Sequence, residues 1–187
     1  MKVNLNPLTW EDGNDNMGGF KAFVLFIPQS AVSSVPKLPS VVTTDVDAVT
    51  AAGAFVFRTV GDKPKYIQCT DKTVKFSAEN QGEIEGQSFT QTGEFFRAGS
   101  KKESAALARQ VNNVPGYLIL EDMDGNQIMV GQPNLPCHVK PAFDGGQART
   151  DRRGYKFTFA SDAVAPVIYL GTPINVDNLL GNPILIP

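Results

Sequence analysis

His138, the single histidine, stands beside Cys137, one of two cysteines, and any metal site or nucleophilic pair in this chain would have to be built from them. A zinc site needs four ligands with paired spacings, and neighbours on an extended segment point to opposite faces. The pair therefore does not chelate together. DMDGN, residues 122–126, resembles the opening of a calcium loop, but that loop also needs a Glu about six residues past its glycine. Gly131 and Gln132 stand there instead, so a tight turn is the better account. A hydrolase would use His138 as base for a nucleophile, and no nucleophile elbow lies near it. FDGGQAR, residues 143–149, lacks both phosphate-loop spacing and a following Lys-Ser or Lys-Thr. Glu83 and Glu85 are close carboxylates in a polar turn, where no burial would push their pKa values apart. No coherent catalytic set emerges and no cofactor or metal is called for, so the chain reads as a non-enzymatic protein.

One basic cluster remains, Arg149, Arg152, Arg153 and Lys156 in QARTDRRGYKF, with Asp151 inside it. Nucleic-acid binding by such a cluster usually interleaves aromatic platforms. Tyr155 and Phe157 alternate away from Lys156, so salt bridges to a neighbouring subunit, or a plain solvated strand entrance, are the preferred readings.

The 187 residues are 42% apolar with a net charge of −2, which fits one domain spanning 1–187 with a real core. Near-balanced charge supplies no global field for nucleic acid or an anionic membrane. The start lacks the apolar stretch of a signal peptide, and no apolar run approaches the roughly 18 residues of a membrane helix. These observations predict a protein made in the cytosol, kept there or released by lysis, with no membrane partner. Cys69 and Cys137 are then expected as buried small hydrophobes.

Period-two alternation dominates and predicts a mostly β (α+β) fold, a β-sandwich or β-barrel. Strands are expected at 19–27, 54–60, 65–70, 73–79, 87–97, 116–122, 127–132, 138–143, 153–160 and 167–170. Tyr155, Phe157 and Phe159 should share one face, with Lys156 and Thr158 on the other. One short flanking helix is predicted in SKKESAALARQVNNV, started by a Ser100/Glu103 capping box. Leu107, Ala108, Val111 and Val114 form its apolar stripe, and Asn112, Asn113 and Pro115 end it. Asp124-Gly125 should turn the next hairpin.

The stretch TVKFSAENQGEIEGQSFTQTGEFF, residues 73–96, reads as one long β-hairpin with an acidic tip. Lys75, Ser77 and Glu79 face water on its first strand, and Ser88, Thr90, Thr92 and Glu94 form a polar face on its second. Phe89 and Phe95 bracket Gln91 and Gly93 on the reverse. A hairpin so polar has naked edges and too little burial to stand alone. Copies pairing edge to edge into a closed barrel would satisfy it, and a wide barrel holds water. The Pro/Ser/Thr/Val-rich loop 28–53, including Val32, Val35, Leu38, Val41 and Val42, is too apolar for a plain linker. The C-terminal arm 171–187 carries Leu179, Leu180, Ile184, Leu185 and Ile186 past the last strand, where Pro and Gly oppose a helix, and needs a surface to lie on.

The order of polar hairpin, short helix, apolar hairpin YLILEDMDGNQIMVGQ and then TDRRGYKFTFASDAVAPVIYL resembles the tail tube proteins of tailed bacteriophages over residues 54–170. That resemblance implies a virion structural protein, assembled in the bacterial host cytoplasm, whose hexameric rings stack into a tube. The hairpins would form a continuous intersubunit barrel around a channel for DNA, with Glu79, Glu83, Glu85 and Glu94 turned to the lumen. The arm 1–18, the loop 28–53, the arm 171–187 and the basic cluster would contact neighbouring subunits, the next ring or other tail proteins. Related neck, terminator and baseplate ring components are the alternative, and a β-sandwich binding module is a third reading.

Overall fold

The computed structural model describes residue 8, residues 12–13 and residues 17–180. Its strands are β1 (Phe20–Pro28), β2 (Val32–Ser34), β3 (Thr50–Ala51), β4 (Val56–Phe57), β5 (Lys65–Gln68), β6 (Lys75–Gln81), β7 (Ser88–Ala98), β8 (Pro115–Asp122), β9 (Gln127–Val130), β10 (Cys137–Asp144), β11 (Gly154–Ala163) and β12 (Tyr169–Leu170), with helices α1 (Lys102–Val111) and α2 (Asp177–Leu180). The fold is mostly β, as the alternation predicts. One curled sheet runs β3-β12-β9-β8-β10-β11-β7-β6, with β1 on the other side of β8 and β5 on β1, while β2 and β4 form a separate ribbon.

Two cores hold the curl. Val24, Phe26, Leu118 and Leu120 point one way from β1 and β8, onto Phe95, Phe157, Phe159 and α1. Leu25, Ile27, Tyr117 and Ile119 point the other way, onto Met129, Ile168 and Leu170. Period-two strands buried on both faces produce this division. The arms of the curl meet where Phe20 of β1 sits edge-to-face on Phe76 of β6 at 6.3 Å, Thr70 N donates to Phe96 O at 2.8 Å, and Arg97 Nη1 donates to Gln68 O at 2.6 Å.

Three expectations are corrected. Helix α1 begins after Lys101, which makes no side-chain cap bond, so the Ser100/Glu103 box does not form. Its stop does follow the sequence, because Asn113 takes the left-handed φ of 61° that Asn tolerates. The segment 28–53 is not structureless. It contains β2, β3 and a 3-10 turn, Asp45–Ala48, closed by a Thr44/Asp47 capping box. Bonds from the Thr43 hydroxyl and the Thr44 N–H hold the Asp47 carboxyl down at about 2. At the other end, Pro and Gly do not prevent the single turn of α2, because Asn175 Oδ1 accepts from Asp177 N at 3.0 Å. Gly181 follows it at once.

Cys69 and Cys137 are free and buried, and burial pushes both thiols up to about 12. Unfolded thiols ionise near 9. Above pH 9 the unfolded chain therefore binds fewer protons than the native one, and the contribution of these thiols to stability falls as pH rises toward 12. Native protein is expected to resist maleimide at pH 8 and to label at both sites in denaturant, read by intact mass.

Gly93, at the centre of β7, shows how tightly the sheet is packed. A methyl there would lie 2.2 Å from Lys75 O and 2.4 Å from the Phe159 ring. Gly93→Ala is expected to lower stability by about 1–3 kcal/mol, the usual cost of overpacking, read by chemical denaturation.

Candidate functional site

Strands β10, β11, β7 and β6 form a four-stranded antiparallel sheet whose two faces differ in kind. Cross-strand register puts Lys140, Thr158, Glu94 and Lys75 in one row. The next rows are His138-Ala160-Thr92-Ser77 and Asp162-Thr90-Glu79, and Gln81 stands opposite Ser88. All of these side chains share one face by the period-two rule, and the first two rows line an open concavity of about 610 Å³. On the reverse, Phe95 stacks on Phe157 at 4.8 Å. Buried Gln91 donates through Nε2 to Ala165 O and Pro166 O at 3.3 and 3.2 Å. One face makes the core and the other is wet.

The wet face is knit by short side chains. Ser77 and Thr92 hydroxyls are 3.1 Å apart, the Thr90 hydroxyl donates to Gln81 Oε1, and Gln81 Nε2 donates to Asp162 Oδ1 at 3.0 Å. Its charge is banded. Glu79 and Asp162 lie toward the hairpin tip, where Glu83 and Glu85 are exposed, while Lys75, Lys140 and Lys156 lie toward the other end with Glu94 among them. Glu94 pairs with Lys156 at 2.7 Å. On the strands four acids, Asp144 of β10 among them, thus meet three lysines, and most of the acidic excess expected from the hairpin alone lies at the tip.

Every polar-face residue read from the hairpin falls where the alternation puts it: Lys75, Ser77 and Glu79 on β6, and Ser88, Thr90, Thr92 and Glu94 on β7. The hairpin alone does not reveal the other half of the face, His138, Lys140, Ala160 and Asp162, nor that Thr158, expected on the wet side of its own strand, joins it. The alternation in CHVKPAFD carried the signal for β10, with Cys137 and Val139 buried and His138 and Lys140 exposed. The reading also missed an aromatic platform. Phe96 lies opposite Lys156, and the Arg152 guanidinium sits 4.4 Å over its ring, a cation–π contact. Asp151 turns back on its own loop, accepting from Ala148 N and Gln147 N, which holds its carboxyl below the usual range. Arg149 and Arg153 are exposed.

The two long edges of this sheet are open. Strand β10 pairs with β8 only at Cys137 and His138, and among the described residues nothing pairs with Val139–Asp144 on that side or with the outer side of β6. Of the loop residues read as intersubunit, Val32 is 4% exposed and already covered by its own chain. Val35 and Leu38 pack against the second core, Val42 is half-buried and Val41 is 71% exposed. Leu179 also packs on that core and Leu180 closes α2, whereas Ile184, Leu185 and Ile186 lie outside the described residues.

Among the described residues no cluster of three His, Cys, Asp or Glu side chains could hold a metal, and no helix is long and apolar enough to cross a membrane. Compared with protein-family models, curated proteins and solved structures, the chain matches none.

Because the polar face buries little, its ion pair should matter little to the fold. The Glu94 and Lys156 side chains are 43% and 50% exposed, and exposed pairs contribute about 0–1 kcal/mol. Lys156→Ala is expected to shift stability by less than about 1 kcal/mol, read by denaturant titration at low and high salt.

Proposed function

We propose that this protein is a structural subunit of a tailed-phage particle, a tail tube protein or a closely related virion ring component. Copies would join edge to edge through the β10-β11-β7-β6 sheet into a closed barrel. A single observation carries this reading: the sheet has one wet concave face and two long edges with which, among the described residues, no strand pairs. An open edge of six or seven residues is a template for another strand, and closure of a ring removes it. The wet face would then line a water-filled channel at no desolvation cost.

Lys75, Ser77, Glu79, Ser88, Thr90, Thr92 and Glu94 would face the lumen, joined by His138, Lys140, Thr158 and Asp162, with Glu83 and Glu85 at the rim. The lysine band carries Glu94 and Asp144 within it, so the lining offers DNA no continuous cationic track, and passage without retention fits the charge pattern. Val41, Arg149, Arg153 and the arms 1–18 and 171–187 would meet adjacent subunits, the next ring or other tail proteins. Assembly would take place in the host cytoplasm. The open concavity favours a second reading, a β-sandwich binding module. A saturable hit on a glycan array by stable monomers would support it instead.

Negative-stain microscopy of concentrated protein is expected to show rings or tubes of mass far above 20.2 kDa. Ala78→Pro should abolish them while leaving the monomer folded by circular dichroism. Lys75 O is turned toward β7, so backbone alternation turns the Ala78 N–H to the open side, and strand prolines are tolerated where that N–H faces outward. Monomer alone at every concentration, with no particles under the microscope, would count against the proposal.

A further inference from the structure

The two open edges fit each other in one register, and we infer that copies join with Lys75 of β6 opposite Asp144 of the next copy and Glu79 opposite its Lys140. This rests on the edge-to-edge reading above and specifies how the edges seat.

Strand direction sets the pairing mode. The strands alternate across β10-β11-β7-β6, every neighbouring pair being antiparallel, so β6 and β10 of one molecule run opposite ways. Rotation of a copy about an axis along the sheet brings its β10 beside β6 in antiparallel sense, and the alternation continues unbroken. Wet faces stay on one side only when odd-numbered β6 residues meet even-numbered β10 residues, which restricts the register to steps of two.

Three independent criteria then select one step. The first is overlap. Pairing Lys75 with Asp144 carries through to Asn80 with Val139, six pairs along the free edge of β10 and all but one residue of β6; opposite Ala78, Pro141 accepts through its O but has no N–H to return, a loss common to every register of this parity. Sliding two residues one way leaves Lys75–Ala78 against Val139–Ala142, and two the other way leaves Ser77–Gln81 against Lys140–Asp144.

The second criterion is charge. The proposed step places Lys75 against Asp144 and Glu79 against Lys140, and among the described residues Lys75, Glu79 and Lys140 have no ion-pair partner in their own chain. Asp144 keeps a carboxylate oxygen free, since Oδ1 accepts from Gly146 N at 2.9 Å. The neighbouring registers form neither pair, and the unshifted row sets Lys75 against Lys140. Opposite charges facing each other across strands are favourable and like charges are not. On the other face the same step sets Phe76 beside Phe143, which is 52% exposed in the single chain.

Barrel geometry is the third. Within a copy Lys140 and Lys75 share a row, so meeting Asp144 moves the next copy four residues along the strands for every four strands traversed. At about 3.4 Å per residue and about 4.8 Å between strands this gives a tilt of about 35°. Closed barrels tilt at about 35–45°, and a shear equal to the strand number is the eight-stranded barrel's own ratio. Steps of two or six residues would give about 20° or about 47° by the same spacings. The ratio holds for any number of copies.

Two-fold pairings of β6 with β6, or β10 with β10, also bring opposite charges together but give shorter ladders, and cysteine trapping separates all three. In the proposed register Ser77 faces Ala142. Lys75 O turned toward β7 and Lys140 O toward the Thr158 hydroxyl make this a non-hydrogen-bonded pair, where Cα atoms lie about 4.5 Å apart and a disulfide closes. The double variant Ser77→Cys/Ala142→Cys is expected to give a ladder of covalent multimers on non-reducing electrophoresis after mild oxidation, and either single variant none. Covalent dimers from Ser77→Cys alone or Ala142→Cys alone would overturn the register in favour of a two-fold pairing. Reversing β6 with Lys75→Glu/Glu79→Lys should abolish particles, and adding Lys140→Glu/Asp144→Lys should restore them. Particles from the wild-type chain without a ladder from the double variant would sink the register while leaving the ring reading intact. Wild-type chain that forms neither particles nor cross-links would sink both.

Discussion

Everything in this molecule follows from the stack of Phe95, Phe157 and Phe159 on one side of a sheet whose other side is never covered. Phe95 and Phe157 lie nearly parallel, with ring centroids 4.8 Å apart, and both are buried among the apolar residues of β1 and β8. Burying side chains of this size stabilises by about 1.5–3 kcal/mol each, and the period of two then sends Glu94, Lys156 and Thr158 to the opposite face whether or not the monomer has a use for them. The cost of a wet face on a small domain is an exposed ladder edge on either flank. Both flanks here are long, which sets this sheet apart from the β1-β8-β9 region, where every strand has neighbours on two sides or is covered.

Much of this was legible in the residues. Tyr155 to Phe159 and the 73–96 stretch alternate so strictly that faces could be assigned without a partner strand, and the Asp124-Gly125 turn fixed the β8-β9 hairpin. Elements of two or three residues were not legible. β3 pairs in parallel with β12 across more than a hundred positions, and no local pattern in Thr50-Ala51 announces that. Ser100 and Glu103 carry the right spacing for a cap, but the helix starts a residue later and propensity yields to tertiary context.

The wet face was half legible for a related reason. Each strand shows which of its residues are wet, but only pairing shows which strands share a surface. His138 was therefore considered as possible chemistry and Lys140 was not singled out, instead of both as neighbours of Thr92 and Glu94, and the expected acidity changed once they joined the face. Phe96 falls in line with Glu94 by the same parity, so its role beneath Arg152 could have been found by extending the count one step. Open edges leave no mark in composition, because an unpaired backbone is the same backbone.

The buried thiols carry one more implication. With Cys69 and Cys137 shielded and their ionisation suppressed, neither thiol offers a handle to oxidants or glutathione. Both would stay thiols in aerobic solution, and crowding many copies together would create no stray sulfur bridges between them.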